Sequence, residues 1–307
     1  MLNLGSAITV QLAARADEAV GRVLAGETGM APPLDAREAL GATVSAGLPG
    51  AADAWLEILE PEGLALGLVG AFSFGAPIVE FQAGGASHRC SIADLMIVVD
   101  DLTGRERDRR ALLLRTRQTV ANDAPCSDAE RSLDEGWPAF RFVDEAENAG
   151  PTPRRRLGGE TRFSCLAQVD LMLPARTWRM VGCTVTPGMA EGVSLGRLIV
   201  EMARGRAGRR APEFDGDDWS RTLNDLLVRT ASATMDGLRP HQRFRSLMTH
   251  QGQAGTGFVV FENRTDLEIT AALAGGHGRA EGSEGPLSVT HVTFRKALVA
   301  PAPRGLR

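Results

Sequence analysis

The stretch Ile92 to Asp100 is apolar, branched at its centre and short, which reads as a strand buried in a sheet. After a charged connection, Gly104 to Arg110, the run Ala111 to Arg117 reads as its partner. Side chains alternate across a strand, so Asp94, Met96 and Val98 share one face of the first. Ala111, Leu113, Arg115 and Arg117 share one face of the second. A carboxylate entering one strand therefore neighbours two guanidiniums leaving the next. This pair constrains the chain more than any other segment and points to an α/β protein.

Helical spacing of Leu12, Ala13, Ala16, Val20 and Val23 predicts a helix over residues 10–26, and Trp55, Ile58 and Leu59 predict another over 51–60. Leu64 to Phe74 and Pro77 to Phe81 read as extended segments, with a turn at Gly84-Gly85-Ala86-Ser87. A polar helix is expected from Ser127 to Glu135, then a strand over Trp137 to Val143. Asn148 to Gly159 reads as a loop carrying Arg154, Arg155 and Arg156. Further on, strands are expected near 164–173, 178–185, 257–262 and 287–294. Helices are expected over 195–204 and from an Asp217 or Asp218 cap through Thr230. The loop 205–210 is basic and Gly275 to Gly285 is glycine-rich.

Three segments carry a resemblance to a known family. They are Cys90-Ser91-Ile92-Ala93-Asp94-Leu95-Met96-Ile97-Val98-Val99, then Arg109-Arg110-Ala111-Leu112-Leu113-Leu114-Arg115-Thr116-Arg117, then Trp137-Pro138-Ala139-Phe140. They resemble the C-E-L-A-D-L-L-V-V-V, R-R-A-L-L-L-Q-A-K and W-P-x-F segments of bacterial PD-(D/E)XK restriction-endonuclease-like proteins. The resemblance implies a core of helix, three-stranded meander, helix and strand over about residues 51–145 of one α/β unit. The C-terminal half, about 160–307, would be an α+β elaboration of that core.

In such enzymes carboxylates on adjacent strands hold Mg²⁺ against the scissile phosphate, and the ion activates a water. The resemblance implies Asp94 and Glu80 as ligands, Arg117 as a phosphate clamp, and Glu57 or Glu60 as an acid supplied by the helix. The departures concern the chemistry. The glutamine or acidic position is Arg115, the lysine position is Arg117, and the glutamate of the Cys-Glu pair is Ser91. Arginine repels a cation and stays protonated, so it is neither ligand nor base. Mg²⁺ is thus expected only if the site is active. A degenerate nuclease-like binder in a bacterial defence or genome-maintenance complex, an active divergent nuclease, and an assembly protein without a nucleic-acid role all remain open. So does a plain ion pair between Asp94 and the arginines.

Net charge is −4, so no global field draws the chain to nucleic acid, and contacts must come from local patches. Arg115, Arg117, Arg154, Arg155, Arg156, Arg206, Arg209 and Arg210 are the candidates, with neighbouring acids such as Glu106, Asp108, Asp217 and Asp218 able to balance them. Lys296 is the only lysine, which confines lysine chemistry to one position. Cys90, Cys126, Cys165 and Cys183 form no C-x-x-C pair and are expected reduced. The start of the chain lacks a signal-peptide pattern, so a cytoplasmic protein is expected. Glycines, Pro77 and Glu80 break the apolar run 63–81, so it is read as strands and not as a membrane span. His88-x-Cys90 and Pro125-Cys126 fail the zinc-deaminase pattern. His241, His250, His277 and His291 lack metal-ligand spacing, and no G-x-S-x-G elbow or P-loop is present.

Overall fold

The computed structural model describes residues 2–29, 31–73, 75–119, 127–143, 154–158, 164–173, 176–181, 192–212, 216–235, 257–261 and 287–297. The glycine-rich stretch 275–285, His241, His250, His277, Cys126, Cys183 and most of the 148–159 loop lie outside them. Among these residues the fold is mixed α/β, built on a nine-stranded mixed sheet and a second sheet of three strands.

The chain opens with α1 (Ser6–Leu24), then α2 (Ala36–Ala42), a π turn (Thr43–Gly47) and α3 (Leu48–Leu59). The helix expected at 51 starts at Leu48, with Pro49 in its first turn. The π turn joins α2 to α3 through a bond from Leu48 N to Thr43 O, five residues back. This widening is what a proline entering a continuous helix requires, since its ring crowds the preceding turn.

Strands β1 (Leu64–Phe72), β2 (Ile78–Ala83), β3 (Ala86–Ser91), β4 (Leu95–Asp101) and β5 (Asp108–Gln118) follow. Next come α4 (Asp128–Gly136), β6 (Phe140–Phe142), β7 (Ser164–Val169), β8 (Trp178–Val181), β9 (Val193–Ser194), α5 (Leu195–Ala203) and β10 (Arg209–Arg210). The described chain ends with α6 (Asp218–Met235), β11 (Gly257–Phe261) and β12 (Ser288–Lys296). The large sheet runs β11-β1-β12-β4-β5-β7-β8-β9, with β10 also paired to β5.

β4 and β5 form the expected antiparallel pair, in register from Leu95↔Leu114 to Asp101↔Asp108. The meander is interrupted, however. β12 lies between β1 and β4, antiparallel to the former and parallel to the latter. The strand expected at 137–143 is also displaced: Phe140 to Phe142 pairs with β2 in the small sheet, and β7 lies parallel to β5 instead. Trp137 belongs to neither sheet. It ends α4 in the left-handed region (φ 42), a strained position for a bulky side chain. Burial of its ring against Phe140 and a bond from its indole N–H to Ser164 Oγ (3.1 Å) hold it there.

The large sheet is covered on both faces. Leu95, Ile97, Val99, Leu112 and Leu114 face α1, α3 and α5. Met96, Val98, Ala111 and Leu113 face the small sheet, α4 and α6, through Phe81, Phe140, Leu133, Trp219 and Leu223. Buried on both sides, β4 is apolar throughout its centre, as strands between two layers must be. Indole N–H groups tie the helical layer down: Trp55 donates to Leu12 O (2.6 Å) and Trp178 to Thr43 Oγ1 (2.8 Å). Cys165 is disulfide-bonded, a correction to the expectation that all four thiols are reduced. No helix among the described residues is long and apolar enough to cross a membrane.

The contact of α1 with α5 depends on Gly196. A Cβ there would lie 2.7 Å from Ala13 O, 2.7 Å from Ala16 Cβ and 2.8 Å from Asp17 Oδ1. Gly196→Ala is therefore expected to destabilise the fold by about 1–3 kcal/mol, because backbone atoms cannot yield as a flexible side chain can. Gly50→Ala, with its nearest neighbour at 3.6 Å, is expected to be neutral or slightly stabilising. Urea unfolding of the two variants checks the contrast.

Candidate functional site

Asp94 stands just before β4, and its backbone N–H continues the ladder by donating to Leu114 O (2.9 Å). Its carboxylate caps the neighbouring strand: Oδ2 accepts from Thr116 N (2.7 Å) and Thr116 Oγ1 (3.2 Å). Two guanidiniums flank it, Arg37 Nη1 from α2 at 3.8 Å and Arg117 Nη1 at 3.6 Å. Asp94 and Arg117 thus share one site, at the end of β4 and β5 away from their hairpin.

Arg115 enters the same site from the adjacent position of β5 and is 3% exposed. Nε donates to Asp134 Oδ2 (2.7 Å) and Nη1 to Glu130 Oε1 and Ser91 Oγ (both 3.3 Å). Nη2 donates to Ser91 O (2.9 Å) and Ile92 O (3.4 Å). Burial works against its charge, but Asp134, foremost, with Glu130 and the other neighbours outweighs it and raises its pKa above the ordinary value. Arg117 Nη2 is held by both oxygens of Glu130 at 2.8 Å. Glu130 also closes the capping box of α4 with Ser127. Burial raises the Glu130 carboxyl, yet Arg117 and Arg115 outweigh burial and hold it below its usual range.

The expected partner Glu80 is elsewhere. It lies on β2 of the small sheet, cross-strand from Arg89 and Arg141. One oxygen accepts from Arg141 (2.8 Å) and the other from Arg89 (2.8 and 3.1 Å), which hold its pKa down. Glu57 and Glu60 are exposed on the helical layer. Among the described residues no group of three or more His, Cys, Asp or Glu side chains is arranged to hold a metal. The residues do not fit Mg²⁺ either. Arg37 and Arg117 flank the Asp94 carboxylate, and the nearby Glu130 and Asp134 already receive guanidinium hydrogen bonds. Cys90 is no alternative nucleophile, because burial foremost pushes its thiol up to about 11.

A second polar cluster, not anticipated from the sequence, occupies the hairpin end of the same two strands. Asp100 is completely buried and lies cross-strand from Arg109. It accepts from Arg109 Nε (3.0 Å), from Arg107 and from His291 Nε2 of β12 (2.7 Å). Arg109 Nη1 also reaches Asn224 Oδ1 of α6 (3.4 Å). Period two from Asp94 leads to Asp100 along β4, a signal the sequence carried. The approach of His291 had no such signal, since it depends on β12 being inserted.

The remaining candidate arginines gather near that end. Arg210 Nε lies 3.4 Å from Asp108, and Arg110 Nη1 donates to Gly208 O (3.1 Å). Arg209 donates to Leu157 O, lies 3.3 Å from Asp217 and covers the Trp219 ring. Arg155 pairs with Asp225 (2.9 Å) over the Phe142 ring, and Arg156 N donates to Asp218 Oδ2 (2.7 Å). Arg154, Arg156, Arg206 and Arg210 are exposed, whereas Arg115 and Arg117 are taken up by α4.

No protein-family model, curated protein or solved structure matches the chain.

Burial raises the Asp100 carboxyl, but bonds from His291, Arg107 and Arg109 outweigh it and hold the group well below the usual carboxylate range. A depressed folded pKa stabilises above the unfolded value of about 4 and ceases to do so as pH falls through the folded value. Asp100→Asn is therefore expected to cost about 3–5 kcal/mol at pH 7, because it strands the buried Arg109. It should also flatten the loss of stability below about pH 4. Urea unfolding from acid to neutral pH measures both effects.

Proposed function

We propose that this chain is a restriction-endonuclease-like protein that does not hydrolyse phosphodiesters and works by binding nucleic acid or a partner subunit. A bacterial defence or genome-maintenance complex is the setting that the resemblance suggests. One observation carries the reading. In the network that runs from Asp94 through Arg117 and Glu130, the position where the resemblance calls for a metal ligand is Arg115, buried and bonded to Asp134, Glu130, Ser91 and Ile92. A guanidinium there cannot ligate a cation, and it occupies the carboxylates of Glu130 and Asp134 that could otherwise do so. Arg117 keeps its charge at any working pH and is no base. The binding role follows from what remains: a rigid sheet with arginine-rich loops and a neutralised polar site.

The competing reading, an active Mg²⁺-dependent nuclease using Asp94 and Glu80, makes an opposite prediction. Plasmid incubated with the protein and Mg²⁺ or Mn²⁺ is expected to stay intact, and Asp94→Ala is expected to change nothing in that assay. The thermal unfolding midpoint is expected to agree within about 1 °C between Mg²⁺ and chelator, since no bound ion stabilises the fold. Cleavage that disappears in Asp94→Ala would overturn the proposal.

A further inference from the structure

We infer that the hairpin end of the large sheet, and not the Asp94 end, is the surface that takes the phosphate backbone of a nucleic acid. The inference rests on the reading above that the protein binds and does not cleave, and it names the ligand and its place. Four stretches distant in sequence meet at this end: 100–110, 154–157, 201–210 and 217–225. The pairs that join them are Arg210 with Asp108, Arg110 with Gly208, Arg209 with Leu157 and Asp217, Arg156 with Asp218, and Arg109 with Asn224.

These stretches hold twelve arginines against eight carboxylates, in a chain whose net charge is −4. Glu213 and Asp215, adjacent in sequence, reduce the surplus to two. The two signs also differ in the direction they face. Asp100, Asp101 and Glu201 are buried, and the side chains of Asp108 and Asp218 are only 17% and 26% exposed. Arg105, Arg154, Arg156, Arg206 and Arg210 are exposed, while Arg107 turns to Asp100. Five of the eight carboxylates are thus turned inward, whereas Glu106 is exposed and the side chains of Asp217 and Asp225 are 38% and 46% exposed beside Arg209 and Arg155, so the rim carries both signs with guanidinium in excess. A guanidinium fork matches the paired oxygens of phosphate and gives up its hydration more readily than an ammonium does.

The two ends of β4 differ in this respect. At the Asp94 end, Arg115 and Arg117 turn inward to Glu130 and Asp134, and α4 closes over them. The rim lies about 20 Å away along β4. A duplex or single strand seated there has no reason to touch Asp94, which fits a protein that keeps the sheet without the reaction.

The test is fluorescence anisotropy of the full-length protein with a labelled duplex of about 30 base pairs and an RNA strand of equal length, between about 50 and 200 mM salt. The variant Arg154→Ala/Arg156→Ala/Arg206→Ala/Arg210→Ala removes exposed side chains and is expected to fold as wild type. It should bind roughly 100-fold more weakly at low salt, and the slope of log affinity against log salt should become shallower by about three. Arg15→Ala/Arg22→Ala on α1, which removes exposed charges elsewhere, is expected to bind as wild type. Comparing the two probes separates DNA from RNA. The inference is overturned if neither probe binds at low salt, which would favour a protein partner, or if the quadruple variant keeps wild-type affinity and slope. Plasmid cleavage is read separately, so an active nuclease would sink the earlier reading without deciding where phosphate sits.

Discussion

The antiparallel register of β4 and β5 is the constraint on which the other layers depend. Leu95↔Leu114, Met96↔Leu113, Ile97↔Leu112 and Val98↔Ala111 place an apolar band at the centre of the sheet, with odd and even positions feeding opposite layers. A slip of one residue would invert every side chain and send Arg115 and Asp100 into the helical layer. The same register sets both polar ends. Each strand carries charge only beyond its apolar centre, so carboxylate and guanidinium meet at Asp94 and Arg117 at one end and at Asp100 and Arg109 at the other.

Ionic groups buried this deeply are costly to desolvate, and pairing alone does not guarantee a net gain. What makes them tolerable is the completeness of their hydrogen bonding. Arg115 reaches side chains of α4 and two backbone carbonyls beside β4, and Asp100 receives His291, Arg107 and Arg109 from three directions. Such networks confer positional specificity, because every alternative packing would leave one of these charges alone. Here they lock α4 to one end of β5, and β12 and α6 to the other. Glu80 does the same on a smaller scale by tying β3 and β6 across β2.

Much of the secondary structure was legible because it rests on local periodicity. Helices α1, α4, α5 and α6 and strands β4, β5, β7 and β12 fall close to where spacing, caps and branched runs put them. The Ser127–Glu130 capping box and the Asp217 side chain bonded to Ser220 N are local signals of that kind. Helix α2 and strands β3, β9 and β10 were missed, being short. Trp137 was read as a strand residue, although its conformation is decided by burial and by Ser164, far along the chain. The candidate site was half legible. Asp94 and Arg117 do meet, whereas Glu80, set only by proximity in sequence, pairs with arginines of another sheet.

By itself the sequence determined the β4–β5 pair, the faces of its side chains and the presence of two arginines at the end of β5, which can act neither as metal ligands nor as bases. Those follow from a period of two and from the fixed charge of the guanidinium, and neither depends on the rest of the chain. Only the tertiary structure decided what the arginines do. The insertion of β12 between β1 and β4, the docking of α4 over Arg115 and Arg117, and the gathering of the 154–157 and 201–210 stretches at the hairpin end all join residues tens to hundreds of positions apart. Such contacts are selected by how whole layers bury apolar surface and satisfy buried charge, and no local pattern encodes them.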